Sequence, residues 1–191
     1  YLWPLLIVVF SGLLPGERLR PGHIIGALVG FAGAALIVSG GGAGFQPDAL
    51  PGYLLAAACA LTWSTYSVAS RAFGTVPTAS VAVFCIASAA LSVPLHLMLE
   101  EPQWPQSTLG WLSTLLLGLG PVGAAFYVWD IGVKHGDIQL LGTASYAAPL
   151  LSTVVLVLAG VAPATWSLGL AAVLITAGAL LAARASLRRH G

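Results

Sequence analysis

Residues 164–189 read ATWSLGLAAVLITAGALLAARASLRR, an uncharged run of 20 residues that is followed by three arginines. An α-helix needs about 20 apolar residues to cross the roughly 30 Å hydrocarbon core of a bilayer. Backbone polar groups in lipid have to be satisfied within their own segment, so such a run is expected to be helical. The stretch therefore predicts a transmembrane helix with a basic end at one membrane surface.

Similar apolar runs fill the rest of the chain. We interpret residues 1–14 as a partial span and five further segments as full spans, which are 137–160, 108–134, 78–98, 52–71 and 23–40. Hydrophobic residues make up 58% of the chain, charged residues 7%, and the mean hydropathy is +0.95. This is too little charge to coat a soluble globule. The predicted fold class is an all-α integral membrane protein whose main surroundings are the lipid bilayer.

The basic residues lie in alternate gaps between these runs. They follow the first, third, fifth and seventh runs, at Arg18, Arg20, Arg71, Lys134, Arg184, Arg188 and Arg189. Short loops rich in Lys and Arg stay in the cytoplasm. We therefore predict a multi-pass protein of fixed orientation, with residues 184–191 as a cytoplasmic C-terminal tail.

An internal repeat relates the two ends of the chain. Residues 1–36 align without a gap on residues 146–181, so that Tyr1-x-x-Pro4-Leu5-Leu6 falls on Tyr146-x-x-Pro149-Leu150-Leu151. The charge rule gives the two aligned segments opposite directions across the membrane, and inverted repeats of this kind are typical of many secondary transporters. We predict a ten-helix parent built from two five-helix repeats, with helices four to ten in this chain. Residues 1–40 would end the first repeat and residues 52–183 would form the second.

Several motifs resemble those of a known family. They are Tyr1-Leu2-Trp3-Pro4, Gly16-Glu17-Arg18-Leu19, Ala60-Leu61-Thr62-Trp63-Ser64-Thr65-Tyr66, Trp129-Asp130-Ile131-Gly132-Val133-Lys134-His135-Gly136 and Ser145-Tyr146-Ala147-Ala148-Pro149. With them the chain resembles the drug/metabolite transporter superfamily, and most of all its bacterial aromatic amino acid exporters. The resemblance implies a protein of the bacterial inner membrane that exports amino acids. Asp130 departs from the pattern, because we expect Asn at that position.

Aromatic side chains with polar edges are predicted near the bilayer centre. At 1.5 Å of rise per residue, Trp63 lies about 16 Å below the outer end of its helix, and Trp3 and Tyr146 reach similar depths. Tyr66 follows Trp63 on the same helix face. Because Trp and Tyr normally gather at membrane interfaces, we interpret Trp3, Tyr1, Trp63, Tyr66 and Tyr146 as substrate-binding residues of a central cavity. Helix packing with local hydrogen bonds is the alternative for each ring.

Three prolines, Pro4, Pro121 and Pro149, fall near the middle of predicted spans. Each removes a backbone donor and bends its helix, so we interpret them as hinge or gating positions. A static kink is the alternative. The small residues Gly22, Gly26, Gly30 and Ala34 recur every four residues and allow close helix contact. We expect this stripe to pack inside the subunit, and the protein to be a monomer or a weak dimer.

Ionisable side chains are absent from the predicted mid-membrane region of this sequence. Asp130 and Lys134 lie four apart near a cytoplasmic end, where we expect a surface-level ion pair, and Glu17 is expected to stabilise its own turn. Carriers coupled to protons or sodium usually place such groups at mid-membrane. We therefore expect a neutral or zwitterionic solute that moves down its own gradient.

The function expected from the sequence is export of aromatic and other neutral amino acids by alternating access. A nucleotide-sugar, a purine or a cationic drug remains an alternative substrate, and a membrane scaffold without transport remains an alternative function. We expect no enzyme activity, catalytic residue, metal site, cofactor or nucleic-acid partner. An integral-membrane enzyme would need clustered His or acidic residues, and His23, His96, His135 and His190 are scattered at helix ends.

Overall fold

The computed structural model describes residues 1–39 and 47–187, and this part of the chain is helical without strands. Its α-helices are α1 (Trp3–Ser11), α2 (Pro21–Val38), α3 (Leu50–Ala72), α4 (Ser80–Leu99), α5 (Thr108–Leu119), α6 (Ala125–His135), α7 (Ile138–Ala144), α8 (Ala147–Leu158) and α9 (Trp166–Leu187). A 3-10 turn, Pro47–Ala49, precedes α3, and a π-helical segment, Gly120–Ala124, joins α5 to α6. The all-helical prediction is confirmed for the described residues.

Two of the predicted spans are interrupted. The run 108–134 contains the π segment, where Pro121 lacks the N–H that a regular α-helix would use. The run 137–160 is broken after α7, at Ser145 and Tyr146, and resumes as α8 with Pro149 in its first turn. Apolar runs predict where a chain crosses a membrane, but they do not resolve breaks inside a crossing.

Five segments of the described chain are long and apolar enough to cross a membrane, namely Pro21–Val38, Ser80–Leu99, Thr108–His135, Ile138–Leu158 and Trp166–Leu187. Helix α3 is not among them, although we predicted a full span over 52–71. Its second half carries hydroxyl side chains that bind other helices: Ser64 Oγ donates to the carbonyl oxygen of Trp3 at 3.0 Å, and Ser67 Oγ accepts from Trp129 Nε1 at 3.0 Å. Its low hydropathy therefore reflects polar contacts made inside the protein.

Helices α2 and α9 pack closely against each other. They run antiparallel, since Gly22 lies against Ala185 and Gly33 lies against Ala171. A Cβ atom added to Gly26 would lie 2.5 Å from the carbonyl oxygen of Gly178. Small residues thus let the two backbones approach. The prediction that this stripe packs inside the subunit is confirmed.

Basic residues from separate gaps meet at one end of the helices. Arg20 Nη1 donates to the carbonyl oxygen of Ala185 at 3.0 Å, and Arg71 Nη1 donates to that of Val133 at 2.9 Å. Arg71 Nη2 also donates to Glu17 Oε1 at 2.6 Å, which joins the two groups. This common end agrees with the alternation of charge along the sequence. Of the predicted tail 184–191, residues 188–191 lie outside the described residues, and so does residue 40, the last of the predicted span 23–40.

Candidate functional site

A cavity of about 1250 Å³ opens between α3 and α4. Helix α1 contributes its first turn to the wall, and the π segment and α6 contribute Val122 and Phe126. The described lining residues have apolar, aromatic or small side chains, and none of these side chains is acidic or basic. This is a concave, mostly apolar site with a few polar atoms, as small-molecule sites usually are.

Aromatic rings from three helices form one cluster around Trp63. Its ring centroid lies 6.4 Å from that of Trp3, 5.4 Å from that of Tyr66, 5.3 Å from that of Phe126 and 5.9 Å from that of Trp129. The Trp3 ring stands nearly perpendicular to Trp63, with an interplanar angle of 86°. Edge-to-face and tilted contacts of this kind stabilise aromatic pairs. The cluster therefore presents fixed ring faces and edges to the cavity.

Polar atoms behind the rings hold the cluster in place. Ser64 Oγ lies 3.0 Å from the carbonyl oxygen of Trp3 and 2.6 Å from that of Ala60, so it ties α1 to α3. One turn further on, Ser67 Oγ accepts a hydrogen bond from the Trp129 indole and donates one to the Trp63 carbonyl oxygen at 2.9 Å. Both serines are fully buried. Buried hydroxyls with all their partners present fix the rotation of α1 and α6 against α3.

The structure brings together four of the five residues that the sequence predicted for substrate binding. Tyr1, Trp3, Trp63 and Tyr66 line the cavity. Tyr146 does not, because it is fully buried between α2 and α9 with its ring against Gly30. Rise per residue predicts how deep a side chain lies, but not the side of the helix to which it points. The break after α7 also alters that rotation for Tyr146.

The predicted hinge prolines occupy different places in the helices. Pro149 follows the break between α7 and α8 inside the segment Ile138–Leu158, and Pro4 is the second residue of α1. Pro121 does interrupt a long helix, and the cavity residue Val122 follows it. Pro94, which the sequence interpretation did not single out, lies inside α4.

Asp130 and Lys134 form the expected pair, but the pair is buried and not at the surface. Their side chains are 3% and 4% exposed, and Lys134 Nζ donates to Asp130 Oδ2 at 2.6 Å. Asp130 also accepts hydrogen bonds from Ser70 and from Thr78 Oγ1, and Lys134 donates to the carbonyl oxygen of Val76 at 2.8 Å. The pair therefore joins α6 to the connection between α3 and α4.

Glu17 reaches further than the turn that we expected it to stabilise. Its partner Arg71 is at the end of α3, and Arg71 also donates to the carbonyl oxygens of Lys134 and Gly136, at 3.0 and 2.7 Å. A cation near the last carbonyls of a helix is favourable. Arg71 thus joins the segment after α1 to the end of α6.

Sequence reasoning missed Phe84, Phe126 and Trp129. Phe126 and Trp129 are three residues apart on one helix face, and that spacing could have suggested a shared surface. Phe84 meets Tyr66 edge-on with ring centroids 6.2 Å apart, a contact across the cavity that spacing could not have revealed. No set of three His, Cys, Asp or Glu residues within 1–39 and 47–187 could hold a metal ion.

Residues 50–184, more than half of the chain, match the EamA-like transporter family. The chain belongs to the EamA-like transporter family. This confirms the resemblance to the drug/metabolite transporter superfamily. The cavity between α3 and α4 therefore belongs to an EamA-like chain.

Several proteins named aromatic amino acid exporter YddG are similar to this EamA-like chain. The one from Ancylobacter novellus is 57% identical over 184 residues, covering 95% of this chain and 64% of that protein. The one from Salmonella typhimurium is 26% identical over 197 residues, covering 99% of this chain and 66% of that protein. The chain therefore spans just under two thirds of the length of these relatives.

A solved structure has the same fold. This crystal structure is of a protein 57% identical in sequence, and it superposes with a TM-score of 0.91. The match covers 95% of this chain and 63% of the other.

Proposed function

We propose that this chain carries the substrate cavity of a secondary transporter that exports aromatic and other neutral amino acids. The observation that carries the proposal is the cavity between α3 and α4, whose wall is formed by the rings of Trp3, Trp63 and Tyr66. Aromatic side chains of a solute can stack on such rings. The exporter names of the similar proteins support the same substrate class.

We propose further that transport needs no coupling ion within this part of the protein. The described lining residues include no acidic or basic side chain, and the buried pair of Asp130 and Lys134 is already satisfied by its neighbours. A coupling site requires a group that gains and loses its ion during transport. Substrate binding by neutral groups is consistent with movement down the substrate gradient.

Alternating access would follow from two inverted five-helix repeats in a ten-helix parent, with 1–40 in the first and 52–183 in the second. Under the offset of the sequence repeat, Gly26 corresponds to Ala171 and Gly33 to Gly178. The contact of Gly26 with Gly178 should then have a counterpart between Gly33 and Ala171. Both occur, with an added Cβ 2.5 Å and 3.0 Å from the carbonyl oxygen opposite. Reciprocal contacts of this kind accompany a two-fold axis and support the repeat.

The π segment is the hinge that we propose for this motion. Pro121 interrupts the hydrogen-bond pattern there, and Val122 and Phe126 extend from the same region into the cavity wall. A π segment inside a helix is frequently found at a functional site. Pro149, beside the break between α7 and α8, is a second hinge position in this proposal.

The inner membrane of a bacterium, with the C-terminus in the cytoplasm, is the location that we propose. The apolar helices support a membrane location. The meeting of Arg20, Arg71 and Lys134 at one end supports the orientation, because Lys and Arg remain on the cytoplasmic side.

Flux of labelled phenylalanine into liposomes that hold the complete protein tests the proposal. We expect saturable flux without a proton gradient, and we expect Trp3→Ala and Trp63→Ala each to raise KM about tenfold through loss of ring contacts. Trp166→Ala is the matched control, since Trp166 is 79% exposed and does not line the cavity. It should leave KM unchanged.

Two results would contradict the proposal. Absence of phenylalanine, threonine and lysine flux from folded protein would remove the amino acid substrates and direct the search to other metabolites. Flux that neither cavity substitution alters would place substrate binding elsewhere in the complete protein.

A further inference from the structure

Two serines on α4, Ser88 and Ser92, line the cavity that the aromatic cluster closes at one side. They belong to a stripe on one helix face, with Val81 and Cys85 before them at spacings of four and three residues. Helix α4 has 20 residues, so Ser88 and Ser92 lie about 12 and 18 Å from its first residue. Both serines are therefore in the central third of this apolar helix.

No side chain of the described residues uses the hydroxyl groups of these two serines. On the facing helix, Thr62 Oγ1 donates to the carbonyl oxygen four residues earlier at 2.9 Å, and Ser64 and Ser67 do the same at 2.6 and 2.9 Å. Ser88 and Ser92 make no such bond, nor any other side-chain hydrogen bond within residues 1–39 and 47–187. Both serines are exposed to the open cavity, and a solute that covered them would have to supply a partner for each hydroxyl to offset its desolvation.

The ring contact between Tyr66 and Phe84, at 6.2 Å, aligns α3 and α4 across the cavity. One turn beyond Phe84 along α4 is Ser88, and one turn beyond Tyr66 in the same direction along α3 is Thr62, each displaced by about 6 Å. Ser92 lies a further turn away. Ser88 is thus about one turn, or about 6 Å, beyond the level of these rings, which is the order of the distance between the ring and the charged groups of phenylalanine, and Ser92 lies about 6 Å beyond Ser88.

From this arrangement we infer that Ser88 and Ser92 form the polar subsite that binds the α-ammonium and α-carboxylate groups of the substrate. The inference rests on the proposed function and adds the orientation of the bound solute, with its ring on Trp63 and Tyr66 and its charged end on α4. A serine hydroxyl donates one hydrogen bond and accepts others. Two serines can therefore bind a carboxylate and an ammonium group together without a fixed charge of their own.

Neutral partners suit a substrate that carries both signs of charge. A single Arg or Asp in the cavity would attract one end of a zwitterion and repel the other, and its own burial would be costly. The described lining residues offer no side chain of that kind. Specificity for zwitterions over organic cations or anions would then come from the paired hydroxyls.

The test compares two ligands that share a ring but differ in charge. KM is measured for phenylalanine flux, and the inhibition constant is measured for N-acetylphenylalanine amide, which lacks both charges, using the complete protein in liposomes. The variants are S88A, S92A and the double variant S88A/S92A. We expect the double variant to raise KM about tenfold or more, through loss of hydrogen bonds to charged groups. The inhibition constant of the amide should change less than about twofold, because its ring contacts remain.

Serines elsewhere in the helices provide a matched control. S113A/S152A removes two hydroxyls from exposed helical serines that do not line the cavity, and it should leave both constants unchanged. W63A should weaken both ligands together. The single variants S88A and S92A keep the test open if the double variant does not fold.

The outcomes separate the inference from the proposed function. If wild-type protein gives no saturable phenylalanine flux, the proposed function fails, and the subsite fails with it. If wild type transports phenylalanine but S88A/S92A leaves KM unchanged, the subsite alone is wrong. Equal weakening of phenylalanine and the amide in S88A/S92A would also overturn the subsite, since that result means general damage to the cavity.

Discussion

Glu17 illustrates what a single residue contributes to this fold. It lies between α1 and α2, its side chain is 5% exposed, and it pairs with Arg71 at the end of α3. The same arginine binds three carbonyl oxygens around the end of α6. An ion pair in such a position is costly to break, because the charge that remains loses its counter-charge. The pair holds three parts of the chain at one end of the molecule.

We predict that Glu17→Gln lowers the free energy of unfolding by about 2–3 kcal/mol, since Arg71 loses its charged partner but keeps its carbonyl contacts. The measurement is thermal or denaturant unfolding of the complete protein in detergent. Glu100→Gln is the matched control. Glu100 pairs with His96 on an exposed surface, with side chains 67% and 43% exposed, so its loss should change the free energy by less than about 0.5 kcal/mol. Equal effects of both substitutions would contradict the structural role of the Glu17 pair.

At the scale of elements, the contact between α2 and α9 depends on the absence of side chains. An added Cβ at Gly26 would meet the Gly178 carbonyl oxygen at 2.5 Å and the Ala182 nitrogen at 3.0 Å. Both neighbours are backbone atoms of a packed helix, so they cannot move aside as the end of a side chain can. Close approach of this kind replaces the hydrophobic effect as the force between helices in lipid.

We predict that Gly26→Ala destabilises the protein by about 1–3 kcal/mol through overpacking. Gly169→Ala is the control within the same pair of helices, because nothing lies within 4 Å of an added Cβ at Gly169. There the better helix propensity of Ala should leave stability unchanged or raise it by up to about 1 kcal/mol. Unfolding midpoints of the two variants, measured side by side in detergent, decide the matter. A Gly26→Ala protein as stable as Gly169→Ala would show that α2 and α9 are further apart than described.

At the scale of the whole molecule, we expect the cavity to make a central region of an apolar protein accessible to water. Its two cysteines provide a probe of that access, because Cys59 on α3 is exposed and Cys85 on α4 is half-buried, and both line the cavity. A thiol reacts with maleimide as the thiolate, which requires water. A cysteine facing lipid would react slowly, whereas a cysteine in a hydrated cavity would react readily.

We predict that a membrane-impermeant maleimide labels Cys59 faster than Cys85, and that saturating phenylalanine slows the labelling of both. Peptide mass spectrometry of the complete protein gives the two rates separately. Cys59→Ser and Cys85→Ser identify each signal, and alanine, with a small side chain, serves as the control solute. Labelling of neither thiol, or labelling that phenylalanine does not affect, would favour the membrane scaffold that lacks a hydrated substrate site.

Much of the molecule follows from its sequence. The length of the apolar runs predicted the helices to within a few residues at most ends, and the alternation of Lys and Arg agrees with the end at which Arg20, Arg71 and Lys134 meet. Both signals are local and one-dimensional: a run is long enough to cross or it is not, and a gap contains basic residues or it does not. The rise per residue also gave the depth of side chains along their helices, and it predicted that the aromatic residues Trp3, Trp63 and Tyr66 lie near one level.

Only the tertiary structure decided how each helix is turned about its axis. Tyr146 has the depth of a cavity residue but is packed between α2 and α9. Asp130 is near a helix end but is buried, and it accepts hydrogen bonds from Ser70 and Thr78. When apolar side chains can face either lipid or protein, hydrophobicity no longer distinguishes the two sides of a helix. Rotation is then set by small residues, hydroxyl contacts and ring packing between segments far apart in the chain, and it is this rotation that places Ser88 and Trp63 in one cavity.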